Sequence, residues 1–213
     1  DFKKWTWTIP AERMKGSRAH VIYLPKQAQD LMVGLQMCAG GSDYLLPGRY
    51  SVSKPLSNGA LNRLINTTVE AVSEAGGHLD EFSVHDLRRT ASTLLHEAGY
   101  PSDWIEKALA HEQKGVRAVY NKAEYARQRA YMLQQWADMA DSWINGEHTD
   151  LVPFSPSKFE RWMSEGDFIN LAVADCHLQF FAFLVQDTIF RLQPVNLRAF
   201  LHNHSALFFQ LAD

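Results

Sequence analysis

The chain has 213 residues, 46% hydrophobic and 21% charged, with a net charge of -3. Those proportions fit a soluble globular protein of one or two domains with a sizeable core. They exclude a globally basic nucleic-acid binder, although a local cationic cleft can hold phosphate on an acidic protein.

Cys38 and Cys176 are the only cysteines, so neither a disulfide framework nor a Cys-rich zinc site is expected, and a reducing cytoplasm is the expected compartment. No run of 18 uncharged apolar residues occurs, so no membrane span is expected. The first residues carry neither a signal-peptide core nor a Met, and the chain is expected to be a fragment that starts mid-protein.

Residues 4–9 alternate large and polar side chains, the period of a half-buried strand, and Pro10 ends it. Residues 19–24 read as a second strand. The polar stretch between them contains Gly16 and reads as a hairpin connection, which puts Lys15 near its tip. Pro25 opens a predicted helix from Lys26 to about Ala39, stopped by Gly40 and Gly41. Residues 42–56, with Pro47, Gly48 and Pro55, read as loop. Ser57 is placed as the cap of a helix reaching Glu74, with Leu61, Leu64, Ile65, Val69 and Val72 as its buried face.

A further helix is predicted from Ser83 or Val84 to Ala98, ahead of Gly99 and Pro101. Leu87, Ala91, Leu94, Leu95 and Ala98 share one stripe, which turns His85, Arg88 and Arg89 to the opposite face. A short helix over residues 103–109 and a long one over about 123–145 follow. The stripe of the long one (Tyr125, Met132, Leu133, Trp136, Ala140, Trp143) reads as core. Prolines and polar residues over 148–157 read as a linker. Ten of the twelve Phe lie beyond residue 150, and two more helices are predicted over about 168–193 and 197–212. The fold class is mainly α (α+β), with residues 1–147 as one domain and 158–213 as a Phe-rich helical extension.

Five residues permit metal-free phosphoryl transfer. Arg88 offers a permanently charged fork of donors suited to phosphate oxygens. His85, one helical turn earlier, can donate to the same phosphate or move a proton. His111 can add a donor. Tyr120 offers a phenol oxygen that becomes a nucleophile once its proton leaves or a cationic site stabilises the phenolate. Lys15, at a hairpin tip, can protonate a leaving oxygen.

These residues, with Trp7-Thr8-Ile9-Pro10, Lys54-Pro55-Leu56-Ser57, Leu109-Ala110-His111 and Tyr120-Asn121-Lys122-Ala123-Glu124-Tyr125 around them, resemble the tyrosine recombinases, in particular the phage-type integrases. The resemblance covers roughly residues 1–145. It implies a mainly helical catalytic domain with a small sheet, acting without cofactor or metal on double-stranded DNA in the bacterial cytoplasm, at the nucleoid, as a homo-tetramer on DNA. In this likeness Tyr120 forms a 3′-phosphotyrosyl link, Arg88, His85 and His111 bind the scissile phosphate, and Lys15 is the acid for the 5′-hydroxyl. The family's first active-site arginine precedes the sheet and has no counterpart here, nor have its amino-terminal DNA-binding domains. The chain on its own is therefore expected to be catalytically crippled.

Plainer readings stand beside these. His85 and Asp86, with His78 and Asp103, could form a metal site. Tyr125 rivals Tyr120 as nucleophile but joins the core stripe. Residues 1–150 hold 17 Lys and Arg against 18 Asp and Glu, so DNA contact must rest on focused groups. These are Lys15 with Arg18, Arg88 with Arg89, and Lys114 with Arg117 and Lys122. The alternatives to a recombinase are a non-catalytic integrase remnant and a protein-interaction module carried by the tail.

Overall fold

The computed structural model describes residues 1–111, 121–147 and 150–165. Their elements in order are β1 (Thr6–Ile9), a 3-10 turn (Ala11–Arg13), β2 (His20–Tyr23), α1 (Lys26–Cys38), β3 (Pro47–Gly48), β4 (Ser51–Pro55), α2 (Ala60–Glu74), α3 (Val84–Glu97), α4 (Ser102–Ala108), α5 (Ala126–Ile144) and α6 (Pro156–Glu165). The fold is mainly helical with small antiparallel sheets, as the sequence predicts.

β1 and β2 pair antiparallel in the register Thr6↔Tyr23 to Ile9↔His20, which places Lys15 in the hairpin connection. β3 and β4 make a second short antiparallel pair inside the stretch read from sequence as loop. Leu56 N–H donates to the Leu46 carbonyl (2.8 Å), and the Ser42 hydroxyl donates to the Val52 carbonyl. β3 is two residues long and β4, five long, ends on Pro55, so the pair carries too little apolar alternation to be visible in sequence.

Helix ends follow local chemistry. Gly76 and Gly99 take left-handed φ angles of 85° and 82°. After each, a backbone N–H reaches five residues back: Gly77 to the Val72 carbonyl (3.0 Å) and Tyr100 to the Leu95 carbonyl (3.1 Å). This is the six-to-one bond that closes a Schellman motif. The expected cap at Ser57 is not formed; α2 begins after Gly59, without a side-chain cap.

The described residues divide into two compact units. One comprises Asp1–Gln29, Ala91–Trp143 and residues 150–165; the other comprises Asp30–Thr90 and Ile144–Glu147. The first holds the core: Leu95, Ala98, Tyr100, Ile105, Tyr131, Met132 and Met139 are buried. Phe154 N–H donates to the Ala98 carbonyl at 2.7 Å. The Phe154 ring then packs with Tyr100 and Trp104, while Phe159 and Trp162 of α6 pack on Tyr131. Helix α6 is an addition to the predicted elements.

In the second unit the predicted buried stripe of α2 is only partly covered: Ile65, Val69 and Val72 are half-buried, whereas Leu61 and Leu64 are 45% and 46% exposed, and Leu87 of α3 is 54% exposed. The two helices predicted over 168–193 and 197–212 lie outside the described residues.

Candidate active site

The basic face of α3 is set by its first turn. Ser83 and Asp86 cap each other: the Ser83 hydroxyl and N–H both donate to Asp86 Oδ2, at 2.7 and 3.0 Å, and Asp86 N–H points back at the Ser83 hydroxyl. This is the reciprocal arrangement of a capping box. The two Ser83 hydrogen bonds, hydroxyl first, and then the Arg89 and His85 charges hold the Asp86 carboxyl below its usual value. Val84 N–H donates to Asn62 Oδ1 (3.1 Å), tying the start of α3 to α2. His85, Arg88 and Arg89 are all exposed, on the face the periodicity predicts. Arg89 pairs with Asp86 at 3.1 Å while its side chain stays largely exposed.

The hairpin and the turn after α4 lie in the first unit. Lys15 and Arg18 are exposed in the hairpin connection, where Ser17 takes a φ of 50°. His20, buried on β2, points its Nε2 at the Ala108 carbonyl, 3.2 Å away. Burial first, then the Arg129 charge, push its imidazole below 6.5. Nε2–H donates to that carbonyl, a bond that favours the protonated ring and so opposes, without reversing, the downward shift.

Helix α4 ends in a Schellman motif whose left-handed residue is Ala110, at φ 55°. Ala110 N–H donates to the Lys107 carbonyl and His111 N–H to the Glu106 carbonyl, at 3.1 and 2.9 Å. His111 thus sits on a fixed turn, half exposed, with its Nδ1 at 2.7 Å from Glu106 Oε2.

The chain re-enters the described residues at Asn121, whose Nδ2 donates to Asp103 Oδ2 (3.2 Å) and to the Tyr125 hydroxyl (2.9 Å). Tyr125 has a φ of 48° and points its hydroxyl at Asp103. It is a polar anchor at the entry to α5 rather than a plain core residue. Lys122 is exposed. Tyr120, Lys114 and Arg117 lie outside the described residues. Among those described, no group of three or more His, Cys, Asp or Glu is placed to hold a metal ion. Asp86 and Asp103 are instead engaged as stated.

Sequence reading missed Glu106, His20 and Arg129. Arg129 is 1% exposed. It donates to the Glu124 carbonyl (3.0 Å) and the Val21 carbonyl, and lies over the Tyr23 ring, 5.2 Å from its centroid. It fastens α5 to the hairpin, while Lys107 and Glu124 pair at 2.8 Å. The available signal was its place one turn after Tyr125 and three residues before Met132, on the apolar stripe itself.

A family model described as the phage integrase family matches residues 1–127. The chain is 39% identical over 159 residues to the prophage integrase IntZ of Escherichia coli, covering 70% of this chain and 37% of that protein. Against the prophage integrase IntA of the same organism it is 36% identical over 147 residues, covering 68% and 34%. Against the integrase of Shigella phage Sf6 it is 34% identical over 143 residues, covering 66% and 35%. The chain therefore spans about a third of the length of these curated relatives. No solved structure matches it.

Proposed function

Because the chain belongs to the phage integrase family, we propose that it carries a phosphoryl-transfer centre for site-specific DNA recombination. The phenol oxygen of Tyr120 attacks a backbone phosphorus, its proton leaving to water. The bond from phosphorus to the 5′ oxygen breaks, and Lys15 protonates that oxygen. Arg88, His85 and His111 donate to the non-bridging oxygens as negative charge accumulates on them. The tyrosyl ester conserves the phosphodiester energy, so a 5′-hydroxyl from another strand reverses the step without ATP. Arg18, Arg89, Lys114, Arg117 and Lys122 contact the DNA backbone, and the working assembly is a homo-oligomer on duplex DNA.

The observation that carries this reading is the exposed first turn of α3. A capping box holds His85 and Arg88 one turn apart on a solvent-facing surface, and a fixed turn presents His111 later in the family's order.

The test is covalent trapping on a nicked duplex bearing the attachment site of the encoding element. It is run on this chain and, in parallel, on the chain with whatever in-frame sequence its gene places upstream. We expect the extended form to give a protein–DNA adduct that disappears in Tyr120→Phe, and this chain on its own to give far less. An adduct that persists in Tyr120→Phe rejects the nucleophile. No adduct in either form supports the reading of a non-catalytic remnant, with the Phe-rich extension from residue 158 as a protein-interaction module.

A further inference from the structure

We propose that Glu106 is a positioning residue for His111, selecting the ring nitrogen that meets the phosphate. This rests on the reading of His111 as a phosphate contact. The two residues are five apart. In an uninterrupted helix that spacing puts side chains about 140° apart around the axis, too far round to touch. The left-handed Ala110 reverses the chain and brings His111 Nδ1 to 2.7 Å from Glu106 Oε2. A non-glycine residue in that conformation costs roughly 1–2 kcal/mol, so the turn is held by its surroundings. Those surroundings are the two Schellman hydrogen bonds, and His20 Nε2 on the Ala108 carbonyl from the hairpin side.

The pair adds little stability. His111 and Glu106 side chains are 54% and 39% exposed, and solvent screens such pairs. Its consequence is orientation. A carboxylate oxygen accepts, so Nδ1 must carry a hydrogen, and Nε2 is turned away from Glu106. In the neutral ring, Nε2 then holds the lone pair that takes up a proton; in the protonated ring, Nε2–H is the donor offered to a phosphate oxygen. The same division of labour, a carboxylate fixing a histidine's tautomer while the far nitrogen does the chemistry, is a general device of acid–base sites.

The experiment has two arms. Long-range 1H–15N spectra of the chain labelled at histidine, recorded where His111 is neutral, read its tautomer directly. We expect Nδ1–H in the wild type and a shift to Nε2–H in Glu106→Ala. Glu106→Gln serves as the isosteric control that preserves packing, with amide spectra reporting an intact fold. Nε2–H in the wild type, or an unchanged tautomer in Glu106→Ala, overturns the proposal.

The second arm measures single-turnover cleavage of the nicked duplex. Glu106→Ala is expected to slow it about tenfold without weakening DNA binding, and to add nothing in a His111→Ala background. Equal slowing in both backgrounds overturns the coupling. If no adduct forms at all, the recombinase reading fails while the spectra still decide whether Glu106 sets the His111 tautomer.

Discussion

The two units hold their candidate site residues by different means. In the first, His111 depends on long-range contacts: His20 reaches Ala108 across 88 positions, and Arg129 reaches Val21 across 108. Around them lies a core in which Met132 and Ile105 are 0% and 1% exposed. In the second, His85 and Arg88 ride on a helix start made by residues three apart, while only Gly34 and Ala39 of that unit are buried among its described residues. Tertiary packing thus fixes one set of candidate residues, and a local cap fixes the other. The two parts should fail under different insults.

The largest expected effect falls on the first unit. Met132→Ala removes a fully buried side chain and should cost about 2–5 kcal/mol, whereas Leu64→Ala on the exposed face of α2 should stay within about 1 kcal/mol. Denaturant unfolding of both variants measures the contrast; equal losses would show that α2 is as well packed as α5. A smaller effect belongs to the cap. Ser83→Ala should cost about 1 kcal/mol, and hydrogen exchange should rise at the start of α3 and not around Met132.

The smallest effect is one of pH. The His20 imidazole titrates below 6.5 in the folded chain, and near 6.5 when unfolded. Above that value the ring is neutral in both states and contributes no pH dependence. As pH falls below it, the unfolded chain takes up the proton first, so stability declines. Thermal melts of the wild type and His20→Gln should diverge in slope only on that acid side. Parallel slopes would remove the charge of His20 from the account of the turn.

Much of the frame was legible because it is local. Pro25, Gly40 and Gly99 punctuate helices where they stand, and the start of α3 was read to within a residue, though its Ser83–Asp86 cap went unread. Leu87 shows the limit of periodicity: it shares the stripe of Leu95, yet it is exposed, because a stripe says which residues agree in direction and not whether anything covers them. Helix α6 escaped notice because Pro153 and Pro156 read as linker residues, while its burial comes from Tyr131 and Trp104 far back in the chain. Tyr120 and the tail helices lie outside the described residues and stay as sequence expectations.

The sequence by itself determined the first hairpin, the helices α1 to α5, the exposed basic turn of α3 and the family, since each is written in residues near one another or in a fixed order. Only the tertiary structure decided that Arg129 is an interior fastener, that Tyr125 is a polar anchor and that Glu106 faces His111. Those outcomes depend on where a reversed turn and a distant strand bring polar groups together, and neither distance nor direction in space is encoded in spacing along the chain.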